Sequence, residues 1–376
     1  VALSPSPSKP PFGQKPVRVM LVDDSAVVRG LLQRWLDADG WFEVAGVCPN
    51  GAAAVRRVVD INPDVIVLDV EMPEMDGITA LPKLVAAVPH ARIIMASTLT
   101  RRNADVTLKA LELGAHDYIA KPEASSSLAS DEYRNSLLEK IRVLGRASRA
   151  DRPAGSQTRA AAPTHTTTAK AERVFTTRPW TPFKPQVLAI GSSTGGPQAL
   201  RQLIAEFKGP LSVPVLIVQH MPKMFTTILA EHLDKLGAGK CVEAENGMPL
   251  LSGRIYLAPG DYHMTVKKSG TAAVLQLDQN AAENFCRPAV DPLFRSVADV
   301  FGDKALGLIL TGMGHDGLAG AKDLIAKGGQ LMAQDEASSV VWGMPGAVAE
   351  AGVCGAVKPL NDLSKTIKTI LRGEKP

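Results

Sequence analysis

The most constraining feature of this chain is a repeated alternation of short, unbroken apolar runs with stretches of helical spacing. Val17–Val22 is such a run. It stops at Asp23, Asp24 and Ser25, with Asp24 or Ser25 placed to cap a helix that continues through Val28, Leu31, Leu32 and Leu36. The pattern then repeats, with strands predicted over Phe42–Val47, Asp64–Asp69, Arg92–Ala96 and Asp117–Ala120, and helices over Ala52–Asp60, Gly77–Ala87 and Ala104–Leu113. A strand that is apolar at nearly every position is buried on both faces. Strands that alternate with helices form a parallel sheet covered on both sides. The first third of the chain is therefore predicted to be an α/β fold with five parallel strands.

A second series follows. Strands are predicted at Val187–Ile190, Val213–Val218, Arg254–Ala258, Ala305–Leu310 and Gln330–Ala333, with a hairpin over His263–Leu277. Helices are predicted at Gln198–Glu206, Phe225–Leu236, Leu293–Phe301, Gly317–Lys327 and Pro345–Ala351. This is again a doubly wound, mostly parallel α/β pattern. With 376 residues, the chain is too long for one ordinary core, so two domains are expected. Between them, composition changes from about Arg146 to Lys184. Arg146, Arg149, Arg152, Arg159, Lys170, Arg173, Arg178 and Lys184 face only Asp151 and Glu172, and apolar periodicity is lost. That reads as a flexible basic spacer. The expected divisions are a disordered lead-in over 1–16, a first domain over 17–140, a linker over 141–184 and a second domain over 185–372.

The net charge of +4 is too small to argue for a nucleic-acid partner, and no apolar run approaches bilayer-spanning length. The four cysteines, Cys48, Cys241, Cys286 and Cys354, form no C-x-x-C pair. In a chain this long they read as reduced thiols of a cytoplasmic protein rather than a disulfide framework or a zinc site.

Three acids stand at predicted strand ends: Asp23 and Asp24 after the first strand, Asp69 after the third. In a doubly wound sheet, functional groups gather at the carboxyl ends of strands near the switch in strand order. Clustered carboxylates call for a cation, and oxygen ligands suit Mg²⁺. Lys121 and Ser97 end neighbouring strands and can neutralise and hydrogen-bond a transferred phosphoryl group. Asp23-Asp24, Asp69 followed by Pro73 and Asp76-Gly77, Ser97, and Lys121-Pro122 together resemble a response-regulator receiver domain, a flavodoxin-like fold. The resemblance implies that Asp69 accepts phosphate from a histidine kinase. It also implies that Asp23, Asp24 and Asp69 hold Mg²⁺ and that Ser97 and Tyr118 act as a switch pair.

In the second series, Gly191-Ser192-Ser193-Thr194-Gly195-Gly196 lies between a buried strand and a helix. Such a turn fits either a phosphate-binding loop or a G-x-S-x-G nucleophile elbow. A dinucleotide site asks for G-x-G-x-x-G and an acid ending the next strand; here the next strand ends in Gln219-His220. His220 can take the proton of Ser193, and Asp316 follows another strand where it can orient the histidine. The order Ser, His, Asp differs from that of α/β-hydrolases.

These segments, with Gln219-His220-Met221-Pro222, Leu257 to Gly260, Arg287 to Asp291 and Leu310 to Gly317, resemble the catalytic domain of the CheB family of chemotaxis methylesterases. The match implies Ser193 as nucleophile, His220 as base, Asp316 as orienter and the Met313 N–H as oxyanion donor, with Thr194 and Arg287 lining the cleft. It also implies phosphorylation-activated hydrolysis of glutamate γ-methyl esters on chemoreceptors, deamidation of receptor glutamines, no cofactor for the hydrolase, and a monomer without membrane insertion. Two positions depart from the usual pattern. His315 stands where relatives often have Asn, and Cys286 precedes Arg287; Cys286 reads as a small packed side chain. A receiver-regulated esterase acting on a different methylated protein is the alternative. A DNA-binding output domain and a nucleotide-dependent oxidoreductase fit the second series poorly.

Overall fold

The computed structural model describes residues 15–98, 100–121, 131–150 and 175–376. In the N-terminal half, strands β1 (Val17–Val22), β2 (Phe42–Cys48), β3 (Val65–Asp69), β4 (Arg92–Thr98) and β5 (Asp117–Lys121) form one parallel sheet in the order β2-β1-β3-β4-β5. Every residue of β3 is buried, as its unbroken apolar sequence requires. Helices α1 (Ala26–Asp37), α2 (Gly51–Ile61), α3 (Gly77–Ala87) and α4 (Arg101–Glu112) connect the strands. Side chains satisfy their free N–H groups: Ser25 accepts from Val28, Asn50 from Ala53, Asp76 from Thr79 and Thr100 from Asn103. Gly77 is obligatory, because a Cβ there would stand 2.1 Å from the Asp69 carbonyl oxygen.

Helix α5 (Asp131–Ala150) corrects the sequence reading, which begins the linker at 141. The helix carries Tyr133, Leu137, Ile141 and Leu144 at helical spacing, and all four are buried against the sheet with Val17, Val19 and Leu21. Charged residues between them mask the pattern in the sequence. Its arginines are also not a solvated spacer. Arg142 pairs with Asp39 at 2.8 Å, and Arg146 lies 4.7 Å from the Trp41 ring centre. Arg149 donates from Nε and Nη2 to Asp64, whose side chain is fully buried, at 2.9 and 2.7 Å. The remainder of the basic stretch, 151–174, and the lead-in through 14 lie outside the described residues.

In the C-terminal half, β6 (Val187–Ser192), β7 (Val215–Gln219), β8 (Lys240–Glu243), β9 (Arg254–Leu257), β12 (Ala305–Ile309), β13 (Gln330–Gln334) and β14 (Ala356–Lys358) form a parallel sheet. Its order is β14-β13-β12-β6-β7-β9-β8. The hairpin is present as β10 (His263–Ser269) paired with β11 (Ala272–Asp278). Helices α6 (Gly196–Phe207), α7 (Lys223–Asp234), α8 (Val290–Phe301), α9 (Leu318–Ala326), α10 (Met344–Glu350) and α11 (Leu360–Leu371) cover the two faces. Strands β8 and β14 and helix α11 were not foreseen from the sequence. Leu360, Leu363, Ile367 and Ile370 of α11 are buried against α6. Strand order reverses between β12 and β6, so the crevice at their carboxyl ends is where a site is expected.

The Asp64–Arg149 pair carries a stability expectation. Truncating Arg149 strands a buried carboxylate, and Arg149→Ala is expected to cost about 3 kcal/mol, the lower end for breaking a buried pair whose arginine keeps some solvent contact. Asp64→Asn combined with Arg149→Ala should cost less than Arg149→Ala alone, as read from urea unfolding midpoints.

Candidate active site

The crevice holds Ser193, His220 and Asp316. Pairing of Ser192 with Gln219 sets Ser193 and His220 side by side at the ends of β6 and β7. The turn after Ser193 passes through Gly195 at φ +75°, a conformation in which a Cβ would also meet Val340 at 2.6 Å. Gln219 pins this turn: its Oε1 accepts from the Ser192 hydroxyl at 2.7 Å and its Nε2 donates to the Ser193 carbonyl at 3.0 Å.

Asp316 is 2% exposed. Its carboxylate accepts from His220 Nε2 at 2.8 Å, from the backbone N–H groups of Val290 (2.6 Å) and Asp291 (3.2 Å) at the start of α8, and from Gly317 N–H (2.9 Å). A fifth donor is Asn284 Nδ2 at 2.9 Å, which also reaches Asp291 at 2.9 Å. Burial alone would raise this carboxyl, but His220 and the N–H groups outweigh it and hold it down at about 2. His220 Nδ1 faces the Cys286 sulfur at 3.4 Å. Burial disfavours a charged ring, yet the Cys286 sulfur and the Asp316 carboxylate outweigh it and lift His220 to about 10.

The other expected residues fall as follows. Among the described residues, the N–H groups of Met313 and Thr194 have no protein acceptor, whereas Ser193 N–H is committed to the Thr311 carbonyl at 3.1 Å. Arg287 donates from Nη1 to the carbonyls of Gln279 and Asn280 at 3.2 and 3.0 Å, beyond the hairpin. His315 is exposed, while Asp316 beside it is buried. Thr194 does not face an open cleft. It is 3% exposed, and its hydroxyl donates to Asp117 of β5 at 2.8 Å. Asn284, Gln219 and the contact of Cys286 with His220 were missed in the sequence; an Asn or Gln carries no chemical signature until its partners are known.

The N-terminal site assembles as the acids imply. Lys121 Nζ lies 2.7 Å from both Asp23 and Asp69. Ligand oxygens of Asp23, Asp24 and Asp69 lie within 4.8 Å of one another. Burial, reinforced by Asp23 and Asp24 and only partly offset by Lys121, lifts the Asp69 carboxyl to about 6. A cluster so short of positive charge suits a hard divalent cation. Ser97 is buried, with long contacts to the carbonyls of Thr98 and Asn103 at 3.4 and 3.5 Å. Tyr118 stacks on Phe225 of α7, ring centres 4.4 Å apart.

That stacking is one part of a continuous interface between the halves. Arg101 pairs with Glu231 at 2.6 Å and His232 with Asp105 at 2.9 Å. Arg201 pairs with Glu112, and Gln198 donates to the carbonyls of Leu111 and Ala115. Met313, Val340 and Val341, from the loops beside Ser193, pack on the apolar cluster of β1, β3 and α5. The N-terminal half thus covers the loops that carry the C-terminal site.

Comparison with known proteins agrees with both sites. Residues 188–367 match the CheB methylesterase family and residues 19–131 the response regulator receiver domain. A protein-glutamate methylesterase/protein-glutamine glutaminase of Rhodopseudomonas palustris (strain BisB5) is 50% identical, with 100% of this chain and 99% of that protein covered. One of the same description from Azospirillum brasilense is 48% identical over 97% of this chain and 96% of its own length. Among solved structures, the Thermotoga maritima CheB methylesterase catalytic domain is 37% identical, with 50% of this chain and 98% of that chain covered and a TM-score of 0.47. The response regulator domain of Thermotoga maritima CheB is 40% identical over 37% of this chain and 100% of that one, with a TM-score of 0.33. With full-length relatives at half identity and both family models matched in order, the chain belongs to the CheB methylesterase family, a receiver domain joined to a methylesterase catalytic domain.

Proposed function

We propose that this protein hydrolyses glutamate γ-methyl esters of chemoreceptors, and deamidates receptor glutamines, under control of phosphorylation at Asp69. The observation that carries the reading is the Asp316–His220 bond beside Ser193 at the strand-order switch. Ser193 Oγ attacks the ester carbonyl carbon as its proton passes to His220 Nδ1, which must first exchange its Cys286 contact for the serine. The tetrahedral oxyanion forms against the N–H groups of Met313 and Thr194. Collapse expels methanol, which takes the proton from the imidazolium. Water then attacks the acyl-serine by the same route and frees the glutamate; with a glutamine substrate the first leaving group is ammonia. Asp316 keeps the ring oriented and stabilises its charge.

In the receiver domain, Asp23, Asp24 and Asp69 would hold Mg²⁺, which when bound supplies positive charge for a phosphoryl group on Asp69. Lys121 would pair with the same phosphoryl group and in doing so leave its present bonds to Asp23 and Asp69. Tyr118, stacked on Phe225 at the domain interface, is placed to pass such a change to the catalytic half. No helix among the described residues is long and apolar enough to cross a membrane, so receptor substrates would be met at a surface outside the bilayer. A histidine kinase and a monomeric state complete the proposal.

Three outcomes are expected. Methanol release from a methylated chemoreceptor cytoplasmic domain should rise with a small phosphodonor and Mg²⁺ in the wild type, stay flat in Asp69→Asn, and fall by about 10³-fold or more in Ser193→Ala; equal turnover in the serine variant rejects the triad. Asn284→Ala, which removes one donor from a buried charge, should lower kcat by roughly tenfold with KM little changed. Gln198→Ala with Arg201→Ala should raise phosphodonor-free turnover several-fold by loosening the closed arrangement, about a tenfold gain for each 1.4 kcal/mol lost from the interface.

A further inference from the structure

Cys286 stands apart from the other three cysteines. Cys48, Cys241 and Cys354 are buried, and burial pushes each of these thiols upward, to about 12 for Cys241 and Cys354. Cys286 is only partly buried. It also belongs to a chain of three ionisable groups: its Sγ lies 3.4 Å from His220 Nδ1, and His220 Nε2 lies 2.8 Å from the Asp316 carboxylate. A thiol in contact with an imidazole that is itself backed by a carboxylate is the arrangement that generates thiolate at neutral pH.

The backbone fixes this contact. Residues Glu283 and Cys286 exchange two hydrogen bonds, N–H to carbonyl in both directions, at 3.1 and 2.8 Å. Glu283 is held by Arg295 of α8 at 2.5 Å, and Asn284 is held by Asp291 and Asp316. Asn284 and Phe285 adopt φ of +51° and +62° to close the turn, which leaves Phe285 79% exposed and turns Cys286 toward the histidine. The sulfur is therefore fixed against the nitrogen that the hydrolase needs as its base.

We infer that Cys286 is a modification site, a histidine-activated thiol that small disulfides cap reversibly and so silence the hydrolase. In the reaction the Cys286 proton passes to His220 Nδ1. The thiolate attacks one sulfur of R–S–S–R, a new S–S bond forms as the old one breaks, and R–S⁻ departs and takes up a proton from the imidazolium or from water. Cys286 is oxidised to a mixed disulfide, and one sulfur of the small disulfide is reduced. The adduct then stands beside Nδ1, where the Ser193 hydroxyl must come. A thiol reductant reverses the step. The loss of activity rests on the Ser193–His220–Asp316 reading; the reactivity of the thiol does not.

The test uses the full chain and the aromatic disulfide 5,5′-dithiobis(2-nitrobenzoate), with the released thiolate followed alongside methanol release. One equivalent per chain is expected to react at least about tenfold faster than the remaining three cysteines. That phase should be absent in Cys286→Ala and Cys286→Ser, and slowed about tenfold in His220→Gln. Wild-type methanol release should fall in step with the fast phase and return with dithiothreitol, while each Cys286 variant keeps its own starting activity under the same treatment. A fast equivalent that survives in Cys286→Ala, an unchanged rate in His220→Gln, or labelled Cys286 with undiminished turnover overturns the inference. If no variant releases methanol at all, the esterase reading fails, and the labelling rates still decide whether His220 activates Cys286.

Discussion

A carboxylate taken out of water must be met by donors on every side, and the catalytic half of this protein is organised around meeting one. Asp316 draws together the first turn of α8, the start of α9, the Asn284 turn and the His220 ring. Each of these segments comes from a different stretch of the chain. The charge that orients the histidine is thus also what fixes the walls of the crevice. A buried ion satisfied so fully is expensive to disturb at any one of its contacts. Geometry at the serine accordingly depends on residues that never touch a substrate.

The sequence made the strands and their polar ends legible because burial on both faces leaves an unmistakable apolar run, as in Val65–Asp69 and Val187–Ser192. It placed the acids of the receiver and the Ser, His and Asp of the hydrolase at the ends of strands, and the structure brings each set together there. What escaped was of two kinds. Helices α5 and α11 alternate their apolar positions with dense charge, and β8 and β14 are too short to stand out. Side chains whose roles arise only from contacts across the chain, such as Gln219, Asn284 and Cys286, carry no local pattern at all. Thr194 shows the same limit. Its place beside Ser193 suggested a cleft wall, but the position of a second domain decides what it touches.

Both halves expose the carboxyl ends of a parallel sheet, yet they use them differently. The receiver gathers like charges that only a cation can reconcile, which leaves Asp69 lifted to about 6 and Lys121 shared between two acids. The hydrolase gathers complementary groups that satisfy one another. The first site is poised to change when charge arrives; the second is set and needs only to be uncovered. Tyr118, at the end of one sheet and stacked on a helix of the other domain, lies between these two behaviours.

Polar groups dominate the contacts between the domains: Arg101–Glu231, His232–Asp105, Arg201–Glu112 and Thr194–Asp117. Such a surface would hold two free proteins together poorly, because exposed pairs contribute little in water. Here residues 151–174 tie one domain to the other, and a tether supplies an effective concentration on the order of millimolar. Closure is then intramolecular, and an affinity too weak to detect between separate domains is enough to keep the site covered. The same weakness sets the scale of the signal, since one phosphoryl group need only tip a balance that the interface itself barely holds.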